Sequence, residues 1–245
     1  MINDQTLDRK ITKILTDNRI KKELEHKKSG KLSASQLSQP LLFQILYVLG
    51  VPQKPVEEYV LRKFLRGNHV EEWLVNQMEG VIERQKLVMY RNCIGFVDAL
   101  IDSKNYEHNC GIIPHEVKSV GNFKFNHISK NHEADKQHQI QAGFYAIGLK
   151  ATHYALDYVA SDDYRILTFI YEVNGIRKEI DGRIDKFEAQ MKSKKLPLFE
   201  AELEWQKKPE YQSYPEWAGL NEKELMDKLK TFPQAYKRLL KGVSL

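Results

Sequence analysis

Cysteine is scarce in this sequence, since only Cys93 and Cys110 occur among its 245 residues. Two cysteines cannot supply the four thiolates of a Cys₄ zinc or iron–sulfur site, and they exclude a disulfide-stapled miniprotein. Long apolar runs are also missing, because the longest, residues 40–51, is interrupted by Gln44 and is too short to span a bilayer. The first ten residues contain no apolar segment of a secretory signal. We therefore expect a cytoplasmic protein with no membrane segment.

The charge balance excludes a uniformly basic surface. Lys and Arg number 38 against 33 Asp and Glu, a net charge of +5, in a chain of ordinary globular composition (42% hydrophobic). Residues 1–32 hold nine basic and five acidic side chains, residues 220–245 hold six and three, and residues 33–219 hold 23 and 25. Basic ends around a slightly acidic middle suit a nucleic-acid partner gripped by the terminal helices, and they equally suit a plain soluble protein.

The hydrophobic pattern changes period along the chain, and it shows no internal repeat or low-complexity tract. Helical spacing predicts helices over residues 5–27, 41–49, 55–65, 68–80, 134–149, 175–194 and 221–241. Runs rich in β-branched and aromatic residues predict strands over 82–90, 95–102, 112–120, 154–160 and 165–173. Gly67 is expected to separate two helices, and the polar stretch 121–134 is expected to be a loop. This order predicts a mixed β-sheet flanked by helices in one α/β domain.

Three charged side chains fall on two of the predicted strands. Asp98 lies in the apolar run 95–101, and Glu116 and Lys118 lie in the run 112–119. Residues two apart in a strand share a face, so Glu116 and Lys118 point the same way, and Asp98 can meet Glu116 if the strands are neighbours. Two carboxylates suit Mg²⁺ or Mn²⁺, and a lysine beside them could position or deprotonate an attacking water. The alternative is an exposed strand with a surface Glu–Lys pair.

A wider set of segments resembles the PD-(D/E)XK nuclease superfamily, and within it the RecB-type and lambda-exonuclease-type branch. The segments are similar to a serine-containing helix start, an R-G-x-x-x-(H/E) helix, G-x-x-D and E-x-K strands and a Q-x-x-x-Y helix. In chain order they are Leu32–Leu37, Arg66–Glu71, Gly95–Asp98, Glu116–Lys118 and Gln141–Tyr145.

The resemblance implies a single nuclease domain over residues 1–245. Its restriction-endonuclease-like core, a central mixed β-sheet flanked by helices, would cover residues 32–175. A basic helical extension over 1–31 and a helical and aromatic part over 176–245 would be N-terminal and C-terminal elaborations of that core.

The resemblance also implies roles for residues on the strands. Asp98 and Glu116 would be the central metal ligands, with the Val117 carbonyl joining them, and Lys118 would be the catalytic lysine. Glu71 stands four positions after the glycine of its segment, where the branch has a metal-binding His or Glu.

Which residue is the third metal ligand depends on how this segment is aligned with the motif of the branch. His69 falls only two positions after Gly67, and a shift of one residue would select Glu72 in place of Glu71. We interpret Glu71 as the ligand and His69 as a supporting or surface residue.

Two further positions of the resemblance lie on a predicted helix. Gln141 and Tyr145 would stand beside the site, where they contact phosphate or orient the lysine. With Gln137 they are spaced by four, which places them on one polar stripe. Simple solvent exposure with Tyr145 at the boundary is the alternative interpretation of that stripe.

Contacts to a DNA backbone are expected from basic and hydroxyl side chains near these segments, although each also suits a plain surface residue. The candidates are Ser35, Arg62, Arg66, Lys124 and Lys136. The aromatic stretch 204–220 resembles the tail that holds an iron–sulfur cluster in many relatives, but it has no cysteine, so we expect no cluster. Its aromatics are expected to pack onto the domain, with stacking on single-stranded DNA as the alternative.

The resemblance thus implies a deoxyribonuclease that depends on Mg²⁺ or Mn²⁺. By its branch it would be an exonuclease of DNA recombination or repair, acting on linear duplex or single-stranded DNA. The alternatives are a structure-specific or restriction-type endonuclease and a non-catalytic nucleic-acid-binding relative. The intact set of Asp98, Glu116 and Lys118 argues against the last. A homo-oligomer or a partner recombination protein fits the resemblance, but no residue indicates either.

Overall fold

The computed structural model of the chain describes residues 13, 17, 30–107 and 109–241. The helix predicted over residues 5–27 lies outside the described residues, apart from Lys13 and Asp17. The strands are β1 (Leu32–Ser33), β2 (Val81–Tyr90), β3 (Cys93–Asp102), β4 (Ile112–Val120), β5 (His153–Ala160) and β6 (Ile166–Glu172). The helices are α1 (Leu41–Leu49), α2 (Glu58–Gln77), α3 (Asn122–Asn131), α4 (Lys136–Leu149), α5 (Asn174–Ser193), α6 (Glu222–Lys230) and α7 (Pro233–Lys241). The predicted mixed sheet flanked by helices is confirmed.

The sheet is built around β3, which pairs with three other strands. β2 is antiparallel to β3, whereas β1 makes a short parallel pairing with it. β4 is also antiparallel to β3, but their pairing ends at Ala99↔His115. Beyond that, β5 runs parallel to β4, and β6 is antiparallel to β5. The two central strands therefore separate next to Asp98 and Glu116, which opens a gap in the middle of the sheet.

Helix α4 packs against the sheet through the predicted apolar stripe. The side chains of Ile140, Phe144 and Ile147 are buried, which confirms the stripe. Helix α5 packs closely on α4 at Gly143, where a Cβ atom would lie 2.6 Å from Cγ2 of Ile176. This close packing holds α4 in a fixed position over the sheet.

The helices predicted over 55–65 and 68–80 are one continuous helix, so the predicted break at Gly67 was wrong. A glycine inside a helix costs about 1 kcal/mol. Val70 and Leu74 are buried in a second core against Val117 of β4, and burying side chains of this size contributes about 1.5–3 kcal/mol each. Packing therefore outweighs the local preference of the glycine.

The stretch predicted as a loop over 121–134 contains helix α3, so this prediction was also wrong. The stretch is polar, but Phe125 and Ile128 are three residues apart and both are buried. Two apolar side chains at this spacing lie on one face of a helix. That face was too narrow to stand out among the polar residues around it.

The C-terminal helix predicted over 221–241 is interrupted after Lys230, and the chain continues as α7 from Pro233. Proline restricts the residue before it to extended conformations and favours the first turn of a helix, which explains the break. In the aromatic stretch, Tyr214 and Trp217 are fully buried, as expected for aromatics that pack onto the domain. Within the described ranges no helix is long and apolar enough to cross a membrane.

Candidate active site

The gap between β3 and β4 is filled by the carboxylate of Asp98. The last pair of the two strands, Ala99↔His115, lies directly beside it. Oδ2 of Asp98 accepts a hydrogen bond from the backbone N–H of Val117 across 2.8 Å. The buried side chain of Asp98 thus replaces a backbone acceptor and is fixed beside the segment that carries Glu116.

Glu116, Lys118 and Gln141 form a compact hydrogen-bonded group. The ammonium of Lys118 donates to Oε1 of Glu116, so the two side chains share a face of β4 as predicted. From α4, Nε2 of Gln141 donates to the same Glu116 oxygen across 2.7 Å. Oε1 of Gln141 accepts from Nζ of Lys118 across 3.2 Å. The amide of Gln141 therefore holds the carboxylate and the ammonium together.

Tyr145 lies one helical turn beyond Gln141, and its hydroxyl accepts from Nε2 of Gln141 across 3.1 Å. The tyrosine ring fits because residue 95 is a glycine. A Cβ atom at Gly95 would lie 2.7 Å from Cε1 of Tyr145 and 2.8 Å from the Cβ of Ala34. The glycine of the G-x-x-D segment is thus required by the packing of Tyr145.

Glu71 joins the cluster from α2 through a residue of β2, Gln85. Nε2 of Gln85 donates to Oε1 of Glu71 across 2.5 Å and to Oδ1 of Asp98 across 3.3 Å. The backbone of Gln85 has a φ of 47°, in the left-handed region that non-glycine residues rarely adopt. Glu72 and His69 are exposed and make none of these hydrogen bonds. The structure therefore brings Glu71, and not its neighbours, next to Asp98.

Three carboxylates around one ammonium leave an excess of negative charge in the cluster. Burial and the charge of Asp98 raise the pKa of Glu71 to about 7. Burial and the same charge raise the pKa of Glu116 to about 8. Burial also raises the pKa of Asp98, although Lys118 and the hydrogen bond from Val117 oppose the shift. Several carboxyl groups with raised pKa values in one cluster are typical of a functional site.

Lys118 and Tyr145 are both held in their protonated forms. Burial by itself would lower the pKa of Lys118, but the charges of Glu116, Asp98 and Glu71 raise it above the ordinary value. Burial and the charge of Glu116 raise the pKa of the Tyr145 hydroxyl well above its ordinary value. Lys118 is therefore a hydrogen-bond donor and a positive charge at neutral pH, not a base.

The oxygen donors of this cluster fit a hard divalent cation. Oε2 of Glu116 is buried and has no hydrogen-bond partner among the described residues. With the oxygens of Asp98 and Glu71 it gives the all-carboxylate donor set that Mg²⁺ and Mn²⁺ prefer. No three His, Cys, Asp or Glu side chains in the described ranges are already arranged as a metal site. The amide of Gln85 bridges the carboxylates of Glu71 and Asp98 by donating a hydrogen bond to each of them.

The residues predicted to contact DNA do not all lie beside the cluster. Arg66 and Lys124 line a cavity of about 460 Å³ together with Lys118. Arg62 and Lys136 do not line it. The salt bridges and hydrogen bonds made by these candidates are Arg62–Glu58, Lys124–Asp135, Lys136–Glu179 and Ser35–Ser33.

Sequence reasoning missed Gln85 and a buried histidine network. Gln85 belongs to no motif, and its position depends on the register of β2 against β3. Nδ1 of His115 is 2.7 Å from Oδ2 of Asp157, and Oδ1 of Asp157 accepts from the hydroxyl of Thr168 across 2.6 Å. This network connects β4, β5 and β6 directly beside Glu116. A histidine next to the E-x-K segment was the one available signal.

Comparisons with known proteins show a likeness in structure. No family model matches the chain, and no curated protein matches its sequence. The alkaline exonuclease LHK-Exo from Laribacter hongkongensis matches with a TM-score of 0.51 and 12% identity, over 67% of this chain and 89% of that chain. LHK-Exo in complex with dAMP matches with a TM-score of 0.48 and 14% identity, over 67% of this chain and 91% of that chain. At this identity the shared property is the fold.

Proposed function

We propose that this protein is a metal-dependent DNA nuclease of the PD-(D/E)XK type, and that it acts as an exonuclease. The observation that carries the proposal is the environment of Glu116. This carboxylate is only 2% exposed, one of its oxygens has no hydrogen-bond partner among the described residues, and it faces the charge of Asp98. Lys118 meets only the other oxygen of this carboxylate, so the unpartnered oxygen is costly for a folded protein unless a further cation compensates it.

Glu71, Asp98 and Glu116 would hold one or two Mg²⁺ or Mn²⁺ ions, with the Val117 carbonyl as a further oxygen ligand. When bound, the cation supplies a Lewis acid that lowers the pKa of water and neutralises charge on the scissile phosphate. Burial and the negative charge of Asp98 raise the pKa values of Glu71 and Glu116, and a bound cation would offset both effects, which supports this assignment.

The protein's own groups would position the reactants. A water oxygen would attack the phosphorus and lose its proton to solvent, while the bond to a sugar oxygen breaks on the opposite side and that oxygen takes up a proton from solvent. Lys118 is protonated, so it donates hydrogen bonds and offsets the charge that develops on the phosphate. Gln141 holds Nζ of Lys118 at 3.2 Å, and Tyr145 in turn contacts Gln141 at 3.1 Å. This chain of contacts keeps the ammonium in one place during the reaction.

DNA would approach along the cavity that Lys118 shares with Arg66 and Lys124. These cations would contact phosphates without reading the sequence. The exonuclease assignment is supported by the fold shared with LHK-Exo, whose name describes an alkaline exonuclease. Burying charged groups is costly, which favours a catalytic protein over a non-catalytic DNA-binding one.

The test is digestion of end-labelled linear and closed circular DNA in Mg²⁺, Mn²⁺ or EDTA. The proposal predicts cleavage of linear DNA with either cation, none in EDTA, and resistance of the circle. Cleavage of the circle would make the protein an endonuclease with the same site. Absence of cleavage in every condition would contradict the nuclease assignment.

A further inference from the structure

Helix α3 presents a phenylalanine, Phe123, almost entirely to solvent. The side chain is 90% exposed, whereas the next most exposed large hydrophobic residue in the described ranges, Tyr211, is 58% exposed. Two residues further on, Phe125 is buried, as is Ile128. The helix therefore packs through Phe125 and Ile128, and Phe123 takes no part in that packing.

The helix is held firmly, so the position of Phe123 is defined. Arg165 of the neighbouring strand region donates to Oδ1 of Asn122 across 3.1 Å and to Oδ1 of Asn126 across 3.2 Å. Its guanidinium carbon also lies 5.0 Å from the ring centroid of Phe125. Arg165 thus binds α3 at Asn122 and at Asn126, before and after Phe123 in the chain, and the ring of Phe123 remains exposed.

Phe123 does not line the basic cavity itself, but it lies in the chain between two residues that do. Gly121 and Lys124, on either side of it in the chain, both line the cavity, and so does Lys118 of the carboxylate cluster. Lys63 and Arg66 line it from α2. Four cationic side chains and the carboxylate of Asp162 line this space. Lys118 is paired with Glu116 and Lys124 with Asp135, so Lys63 and Arg66 are the cations left for a ligand. The cavity therefore suits an anionic ligand that extends from the candidate active site towards the exposed ring.

We propose that Phe123 is a stacking platform for an unpaired nucleobase, with the flanking phosphates against Lys63 and Arg66. An exposed aromatic ring beside a positively charged groove is the arrangement by which proteins bind single-stranded DNA without sequence preference. The charge of the cavity matches the phosphates, and the ring matches the base. A base inside a duplex has both faces covered by its neighbours, so the substrate inferred for this ring is single-stranded DNA or a frayed end. This inference rests on the proposed nuclease function and specifies its substrate.

The experiment measures equilibrium binding of a fluorescent oligothymidylate and of a blunt duplex, in EDTA so that neither is cleaved. Phe123→Ala and Phe123→Leu are each expected to weaken binding of the single strand about tenfold and binding of the duplex less than twofold. Phe123→Trp is expected to restore binding, because it restores the aromatic face. Leu87→Ala, which truncates an exposed side chain on β2, is the control and should leave binding unchanged.

A second signal locates the base. An oligonucleotide with 2-aminopurine at one end should lose fluorescence on binding to the wild-type protein and keep it with Phe123→Leu. Unchanged affinity in Phe123→Ala, or an equal loss for single strand and duplex, would overturn the stacking platform. If the protein still cleaves DNA in a metal-dependent way in that case, the nuclease proposal is retained and the stacking platform is rejected. If the wild-type protein binds no DNA at all, both proposals fail.

Discussion

Val117 and Asp98 are joined across the gap between β4 and β3 by a 2.8 Å hydrogen bond from a backbone N–H to a carboxylate. The bond ties the carboxylate of one strand to the chain segment between Glu116 and Lys118 of the other. Two strands that no longer pair through their backbones are thus held together by the candidate site itself. The hydrogen bond that positions Asp98 therefore also fixes the distance between Asp98 and the segment of β4 that carries Glu116 and Lys118.

Asp98→Asn should preserve this strand contact and weaken metal binding. The amide oxygen of asparagine can still accept from Val117, so the fold is retained, but the negative charge is lost. We expect the affinity for Mn²⁺, measured by calorimetry, to fall at least tenfold, equivalent to about 1.4 kcal/mol. Asp102→Asn, at the end of the same strand, is the control, since the side chain of Asp102 contacts Lys104 and lies outside the carboxylate cluster. Equal affinities of Asp98→Asn and the wild-type protein would exclude Asp98 as a ligand.

Gln141→Ala should slow catalysis more than it weakens metal binding. The substitution removes the amide that holds Nζ of Lys118 and Oε1 of Glu116. Loss of such an orienting group typically costs 10–100-fold, and we expect a decrease of about that size in kcat. Gln137→Ala, one turn earlier on α4, is the control and should retain full activity. A Gln141→Ala enzyme with unchanged kcat would show that the ammonium needs no support.

Glu71→Gln should stabilise the metal-free protein at alkaline pH. Burial and the charge of Asp98 raise the pKa of Glu71 from its ordinary value of 4.5 to about 7, so between pH 4.5 and 7 the folded protein keeps a proton that the unfolded chain has released. The free energy of unfolding therefore falls as the pH rises from 4.5 to 7. Above pH 7 the folded protein carries the full destabilisation that ionised Glu71 causes. In EDTA at pH 8.5 the variant should exceed the wild type by about 1 kcal/mol, a value reduced for solvent screening.

Urea denaturation at pH 4.5 and pH 8.5 measures this difference. At pH 4.5 the gain should be much smaller, because Glu71 is then largely protonated in the folded protein. Glu72→Gln, an exposed neighbour, should change stability by less than about 0.5 kcal/mol at either pH. A gain of equal size at both pH values would mean that ionisation of Glu71 is not its cause.

Gly95→Ala should destabilise the fold at the position of Tyr145. A Cβ atom there would meet the tyrosine ring at 2.7 Å and Ala34 at 2.8 Å, and overpacking of this kind costs about 1–3 kcal/mol. Gly219→Ala is the matched control, since a Cβ atom at Gly219 meets nothing within 4 Å. Denaturation curves of the two variants give the comparison. Equal stability of both would mean that the ring of Tyr145 moves aside freely.

The part of the site that lies on regular strands was accessible from the sequence. Glu116 and Lys118 share a face because alternation in a strand is fixed, and Asp98 follows from the order of neighbouring strands. Gln85 was not accessible, because its role depends on a left-handed backbone conformation and on the register of β2. Helix α3 was not accessible either, because most of its residues are polar. It forms because Phe125 and Ile128 are buried in the hydrophobic core.

The most direct measurement is the rate of DNA cleavage by wild-type protein and by Glu116→Gln, each in Mn²⁺ and in EDTA. Glutamine keeps an acceptor for Lys118 and for Gln141 but removes the buried negative charge, so the fold is retained while the metal ligand is lost. The proposal predicts Mn²⁺-dependent cleavage by the wild type and a rate at least ~10³-fold lower for the variant, about 4 kcal/mol of transition-state stabilisation. Cleavage that persists in EDTA, or a Glu116→Gln protein as active as the wild type, would contradict it.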